Sequence, residues 1–285
     1  MRLTKDFNIL IVGLGLMGGS YAMALRKKGY HVEAIARRQE TIDYALEHGL
    51  IDRGAAEPDP DMIGKADLVV SGLYPAVFID WVKNNQKYFK SGAFLTDVTG
   101  VKTCVVYTIQ DMLRPDVEFI AAHPMAGREV YGVENADDRI FGPANYIVVP
   151  TGKNTEDAIE LCRSLGEELG FASISVLTPE KHDEMIAFLS QLTHCIAVSL
   201  MCSSGDPELV HYTGDSFRDL TRIAKINENM WSELFLDNKD ALLREMGNFR
   251  SNFDRLYDCI RDDDTEGMKE MMRLSTKRRK LFDRK

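Results

Sequence analysis

The chain has 285 residues, 45% of them hydrophobic, and a formal net charge of −9. That length exceeds what one hydrophobic core usually serves and predicts two domains, while the apolar content excludes a disordered chain. An acidic balance with no long basic stretch excludes nucleic acid as the partner, because neutralising phosphates takes clustered Lys and Arg. No leader before the first strand and no later run long enough to cross a bilayer is expected, so the sequence reads as cytoplasmic, with no membrane partner. Five scattered cysteines, Cys104, Cys162, Cys195, Cys202 and Cys259, show no paired or ligand-like spacing and read as reduced structural thiols; no metal site is expected.

The first element is an apolar strand from Asn8 to Val12 that runs into Gly13-Leu14-Gly15-Leu16-Met17-Gly18 and then into the amphipathic stretch Tyr21 to Gly29. Glycines at that spacing, between a strand and a helix, are what a dinucleotide site needs. Gly13 permits the tight turn, Gly15 lets backbone approach a pyrophosphate, and Gly18 lets helix and strand pack closely. The helix start then offers free N–H groups to the phosphates. NAD or NADP is therefore expected, bound along Gly13, Leu14, Gly15, Leu16, Met17 and Gly18. A second strand is predicted at His31 to Ala36. An acidic side chain at its end would bond the ribose hydroxyls of NAD, but the chain has Arg37 and Arg38 there, which suit a 2′-phosphate, so NADP is preferred over NAD.

The alternation continues with a helix from Thr41 to His48, a strand at Ala66 to Leu73, a helix around Val77 to Tyr88 and a strand at Ala93 to Thr96. A helix from Lys102 to Leu113, strands at Phe119 to Ala122 and Asn145 to Val149, a helix from Glu156 to Leu169 and a strand at Ala172 to Leu177 complete it. This order predicts an α/β fold, a Rossmann-like doubly wound parallel sheet whose ligands sit at the carboxyl ends of the strands. Beyond Pro179 the periodicity is helical only, which gives a dinucleotide-binding domain over 1–177 and a helical domain over 178–285. One apolar stripe there runs through Met185, Leu189, Leu192, Ile196 and Leu200. A longer one runs through Met230, Leu234, Leu242, Met246, Phe249, Phe253, Leu256 and Ile260. Both read as core, and the length of the second also predicts a homodimer through the helical domain.

Two segments place polar residues just past buried strands: Leu95 to Lys102 and Ile120 to Glu129. His123 falls in the second. A lone histidine is more often packed than catalytic, but this one follows a strand of a dinucleotide domain and precedes Pro124 and Gly127, which points to acid–base chemistry.

Taken together, Gly13 to Ser20, Asp97-Val-x-x-Val-Lys102, His123-Pro-Met-Ala-Gly127, Gly214-x-x-Phe-Arg-Asp-x-Thr-Arg222 and Trp231 resemble the prephenate and arogenate dehydrogenases of tyrosine biosynthesis. The resemblance implies a nucleotide-binding domain followed by a helical dimerisation domain. It also implies oxidative decarboxylation of prephenate to 4-hydroxyphenylpyruvate with hydride transfer to the nicotinamide. It makes His123 the base that accepts the hydroxyl proton and Arg222 the anchor of a substrate carboxylate, with His194 and Trp231 lining the pocket from the helical domain. Glu129 and Asp219 match acidic residues near the pocket mouth, and Asp97 is expected beside the cofactor. The chain departs from the family pattern at Gly100, where many relatives carry a serine whose hydroxyl either Thr99 or a water is expected to replace, and at Ser190-Gln-Leu-Thr-His194, which changes the pocket wall but retains the last histidine of the usual motif. These departures leave prephenate and arogenate both open as substrates. Two other readings stand beside this one: a β-hydroxyacid dehydrogenase or imine reductase, for which Lys225 is the candidate polar group, and a non-catalytic NAD(P) sensor.

Overall fold

Strand β1 (Asn8–Val12) sends Ile9 and Ile11 into one core layer and Leu10 and Val12 into another, so its unbroken apolar run is what a strand covered on both faces needs. The computed structural model describes residues 1–128 and 130–283. After β1 come α1 (Leu16–Lys27), β2 (His31–Ile35), α2 (Gln39–Glu47), β3 (Arg53–Ala55), α3 (Pro60–Lys65), β4 (Leu68–Ser71), α4 (Pro75–Asn85), β5 (Phe94–Asp97) and α5 (Thr103–Met112). Then follow β6 (Glu118–Phe119), β7 (Ala121–Pro124), β8 (Asn145–Val149), α6 (Glu156–Leu169) and β9 (Ser173–Val176). Among the described residues, six strands pair in parallel in the order β3-β2-β1-β4-β5-β6, the doubly wound sheet the sequence predicts. Strand β3 and helix α3 were not among the expected elements, being too short to show a period.

The expected strand Phe119 to Ala122 is in fact broken at Ile120. Glu118 and Phe119 pair with β5, whereas β7 turns to pair antiparallel with β8, which pairs parallel with β9 in a separate sheet. The cause is local. Ile120 N–H still reaches the Leu95 carbonyl at 2.9 Å, but the Ala122 N–H donates to the Asp97 carboxylate at 3.1 Å instead of to a backbone carbonyl, so the parallel ladder ends there.

The helical region comprises α7 (Pro179–Ile186), α8 (Leu192–Cys202), α9 (Asp215–Thr221), α10 (Glu228–Asp237), α11 (Lys239–Arg261) and α12 (Thr265–Arg279). The Thr178 hydroxyl accepts the Lys181 N–H and Pro179 follows it, so α7 is capped at its first residue. A π-helical turn, Ala187–Gln191, joins α7 to α8 and turns Gln191 inward. There Gln191 donates to the Leu234 carbonyl at 2.7 Å and accepts from Asn238 at 2.8 Å, tying this helix to the start of α11.

Two expectations about helices need correction. Contrary to the reading of the sequence, the helix Pro179–Cys202 is by length and composition apolar enough to cross a membrane, because its charged residues crowd into the first turns. In the fold its polar side chains His182, Asp183 and Gln191 are bonded inside the protein. The stripe along α10 and α11 is core only at Leu234 and Leu242. Met246, Phe249, Phe253 and Ile260 are exposed because α12, which packs back on α11 and pairs Glu270 with Arg255 at 2.9 Å, leaves that face uncovered, and Leu189 of the first stripe is exposed as well.

Candidate active site

The turn after β1 is built for backbone approach. Gly13 has φ +95°, and a Cβ on Gly18 or Gly72 would stand 2.0 or 2.7 Å from the Gly13 carbonyl oxygen, so three segments meet at a distance only glycine allows. At Gly15 a Cβ would meet nothing within 4 Å, which leaves open space at the start of α1. No side chain caps that start and no acidic residue stands in its first turn, so the N–H groups of Leu16 and Met17 are left for an anion. Leu14 turns into the core and Met17 packs against it. These residues fit the pyrophosphate of a dinucleotide. Arg37 and Arg38 are exposed at the end of β2, and among the described residues no ion pair engages either guanidinium.

Beyond β5 and β7 lies a chain of titratable side chains. His123, half-buried on β7, brings Nδ1 to 2.8 Å from His182 Nε2, and His182 Nδ1 lies 2.8 Å from Asp183 Oδ1. The Asp183 oxygens accept the backbone N–H groups of Lys102 at 2.9 Å and Thr103 at 2.8 Å, so a carboxylate from α7 caps the first turn of α5. Burial, then the neighbouring His182 and Lys102, push the His123 pKa well below the ordinary histidine value of 6.5. Burial also lowers His182, against the pull of Asp183. Burial alone would raise Asp183, but bonds from His182 and Thr103 outweigh it and hold the carboxyl below its ordinary 3.8.

Asp97 and Thr99 do not occupy the places the sequence suggested. Both are buried, and Asp97 is fully so, with Oδ2 at 2.6 Å from the equally buried Lys102 ammonium and Oδ1 bonded to Ala122 N–H. The Thr99 hydroxyl donates to Asp97, lies 2.9 Å from the Val101 carbonyl as an alternative acceptor, and accepts from Lys102 at 3.1 Å. Thr99 is therefore committed inside the protein and cannot stand in for a hydroxyl at Gly100, and Asp97 is an internal counter-ion instead of a cofactor contact. Burial lowers the Lys102 pKa and Asp97 opposes it.

The helical region contributes a second group. His194 stacks on Trp231 with ring centroids 3.7 Å apart and bonds the Ser190 carbonyl through Nδ1 at 2.8 Å. Arg222 begins a short turn after α9 that packs against α8; Asp219 and Lys225 are exposed. Helix α10 lies over the carboxyl edge of the sheet: Leu234 would be 3.5 Å from a Cβ on Gly100, and Glu233 accepts the Ala76 N–H at 2.8 Å. Glu129 lies outside the described residues. An open groove of about 680 Å³ along α11, lined by Arg250, Asp254 and Asp258 among others, contains none of these groups. The sequence reading missed His182 and Asp183 and assigned no role to Lys102. The His182-Asp183 pair just after the Pro179 helix start was the available signal, but a separation of 59 positions between His123 and His182 gave no hint that they meet.

Residues 21–175 match the family model described as prephenate dehydrogenase, nucleotide-binding domain, and residues 178–274 match prephenate dehydrogenase, dimerization domain. Over 277 residues the chain is 29% identical to the prephenate dehydrogenase of Bacillus subtilis strain 168, covering 94% of this chain and 74% of that protein. The solved structure of prephenate dehydrogenase from A. aeolicus in complex with hydroxyphenyl propionate and NAD+ is similar with a TM-score of 0.89 and 29% identity, over 99% of this chain and 100% of that one. Synechocystis arogenate dehydrogenase follows with a TM-score of 0.83 and 25% identity, over 97% and 100% of the two chains.

Proposed function

The chain belongs to the prephenate dehydrogenase family, and from that premise we propose that it oxidatively decarboxylates prephenate to 4-hydroxyphenylpyruvate with hydride transfer to NAD(P). The observation that carries this reading is His123. It is a neutral, half-buried imidazole beyond the sheet of a dinucleotide domain, held well below its ordinary pKa and so ready to accept a proton. When bound, the nicotinamide supplies the hydride acceptor. His123 takes the proton of the ring hydroxyl as the hydrogen on the same carbon departs as hydride. The bond to the ring carboxylate then breaks, its electron pair completes the aromatic ring, carbon dioxide leaves, and the proton returns to the phenolate oxygen. Arg222 pairs with the side-chain carboxylate, and the stacked His194 and Trp231 form a wall of the pocket.

The glycine turn and the uncapped start of α1 hold the pyrophosphate. Arg37 and Arg38 favour NADP over NAD, a preference supported by their exposure beside β2 without an acidic partner. We divide the chain into a dinucleotide domain, 1–177, and a helical substrate and dimerisation domain, 178–285. The exposed apolar face of α11, with Phe249, Phe253, Tyr257 and Ile260, supports a homodimer. Five unpaired cysteines fit a reducing cytoplasm. Arogenate, which carries an amino group where prephenate has a keto group, is the competing substrate, favoured by the likeness to the Synechocystis enzyme. The test is a comparison of initial rates with both substrates and both cofactors, followed by nicotinamide reduction. Prephenate with NADP is expected to be fastest, and no turnover with either substrate overturns the reading.

A further inference from the structure

We infer that His182 and Asp183 are positioning residues that fix the tautomer of His123, leaving its Nε2 as the nitrogen that takes the substrate proton. This rests on the dehydrogenase reading above, and it follows from counting hydrogens along two contacts. An ionised Asp183 can only accept, so the 2.8 Å contact makes His182 Nδ1 a donor. A neutral His182 then has no hydrogen on Nε2, which must accept across the next 2.8 Å contact, so His123 Nδ1 carries the hydrogen. A neutral imidazole has one N–H, and Nε2 of His123 is left with its lone pair exposed for proton transfer. The opposite tautomer of His123 would set two acceptor lone pairs 2.8 Å apart at one of these contacts.

Each premise has a structural cause. Asp183 is kept ionised by two backbone N–H groups at the start of α5, where the helix carries its partial positive charge. A protonated His182 would reverse the order, but its ring is fully buried and Lys102 stands nearby, both of which disfavour a second proton. The charged groups around the pair include Lys102 and its counter-ion Asp97, whose own bond is internal, and the carboxyl groups of Glu180 and Asp237 beside Asp183. The His182-Asp183 device lies on α7, beyond the domain boundary, whereas His123 lies on β7 and the capped amides on α5. The base is therefore set in its working form only where the helical region packs on the nucleotide region. Once His123 takes the proton, its Nδ1–H bond to His182 becomes charge-assisted and steadies the imidazolium.

The experiment uses the full chain with Asp183→Asn, His182→Leu and His182→Gln. Asparagine at 183 removes the charge that fixes His182 and sets an NH2 against one of the N–H groups the carboxylate accepts, so the tautomers of both imidazoles are no longer fixed; kcat is expected to fall on the order of 10²–10⁴-fold while KM and cofactor Kd stay within about twofold. His182→Leu should do the same. His182→Gln keeps a carbonyl acceptor for His123 Nδ1 and should recover a substantial part of the lost turnover. Nitrogen NMR of the histidine-labelled wild-type protein reads the tautomer without substrate, and a hydrogen on His123 Nδ1 is expected. The inference is overturned if that hydrogen sits on Nε2, or if folded Asp183→Asn and His182→Leu keep kcat within about threefold of wild type. A wild-type enzyme that fails on prephenate and arogenate while showing the expected tautomer would sink the functional reading and leave only the tautomer assignment standing. Should the variants fail to fold, the wild-type spectrum alone decides.

Discussion

Residues Ile9 to Val12 of β1 are at most 2% exposed, whereas Phe253 and Ile260 of α11 are each 59% exposed, although one is an unbroken apolar run and the other an apolar stripe at helical period. The strand is sealed by helices of its own chain on both sides. The far half of α11 is covered by its own chain on one side only, where α12 packs back on it and Arg255 pairs with Glu270 at 2.9 Å. Periodicity in a sequence reports that a face will be buried and is silent on whether the cover comes from the same chain. The nucleotide half thus buries its apolar strand within one copy, while the helical half leaves an apolar face of α11 exposed.

The sharpest way to break this comparison is to disable one half and measure the other. His123→Asn should lower turnover on the order of 10²–10⁴-fold, the worth of a general base, with nucleotide affinity by titration unchanged. A parallel loss of nucleotide binding would mean that base and cradle are not separable. Arg222→Gln should raise KM about 10–100-fold with little change in kcat, as expected for a charge-assisted bond worth roughly 1.5–3 kcal/mol; an unmoved KM removes Arg222 from the pocket. Phe253→Glu places a charge on the exposed face of α11 and should weaken self-association by about 2 kcal/mol or more, read by sedimentation as a shift from dimer to monomer. If the wild type already sediments as a monomer, the reading of that face fails. Arg37→Ala should lower affinity for NADP about tenfold while leaving NAD nearly untouched, and equal effects would reject the phosphate contact.

The pH response sharpens the same contrast. His123 and His182 have folded pKa values below the ordinary 6.5, so the unfolded chain binds more protons than the folded one once pH drops under that value. Stability from these groups is fully present above pH 6.5 and is lost as pH falls toward the folded values, by up to about 1.4 kcal/mol per group per pH unit. Denaturant titrations between neutral and mildly acid pH should show that slope, and it should be shallower in His123→Asn. An equal slope in both proteins would assign the acid sensitivity elsewhere.

What the sequence makes legible here is local. The strand, glycine turn and helix at 8–27 can be read directly, and β8 and α6 fall where their patterns place them, because each signal lies within one element. The break at Ile120 is hidden, since Phe119 to Ala122 is a continuous apolar run and the interruption is made by a side chain from another strand, Asp97. The same carboxylate explains a misreading: a polar residue just past a strand looks like a ligand contact, yet Asp97 turns inward because Lys102, fully buried, needs a counter-ion. Of the candidate site, His123 stands out through its place after a strand, while His182 and Asp183 do not, because their meaning arises only when α7 docks beside β7.

The π-helical turn at Ala187–Gln191 has a consequence for the pocket wall. One residue more or less in a helix rotates everything after it by about 100°. A regular α-helix through this turn would swing His194 off the face of Trp231 and withdraw Gln191 from the carbonyl of Leu234. The orientation of the His194–Trp231 stack is thus set by an irregularity in its own stem, and a single-residue deletion upstream would undo it without changing either ring.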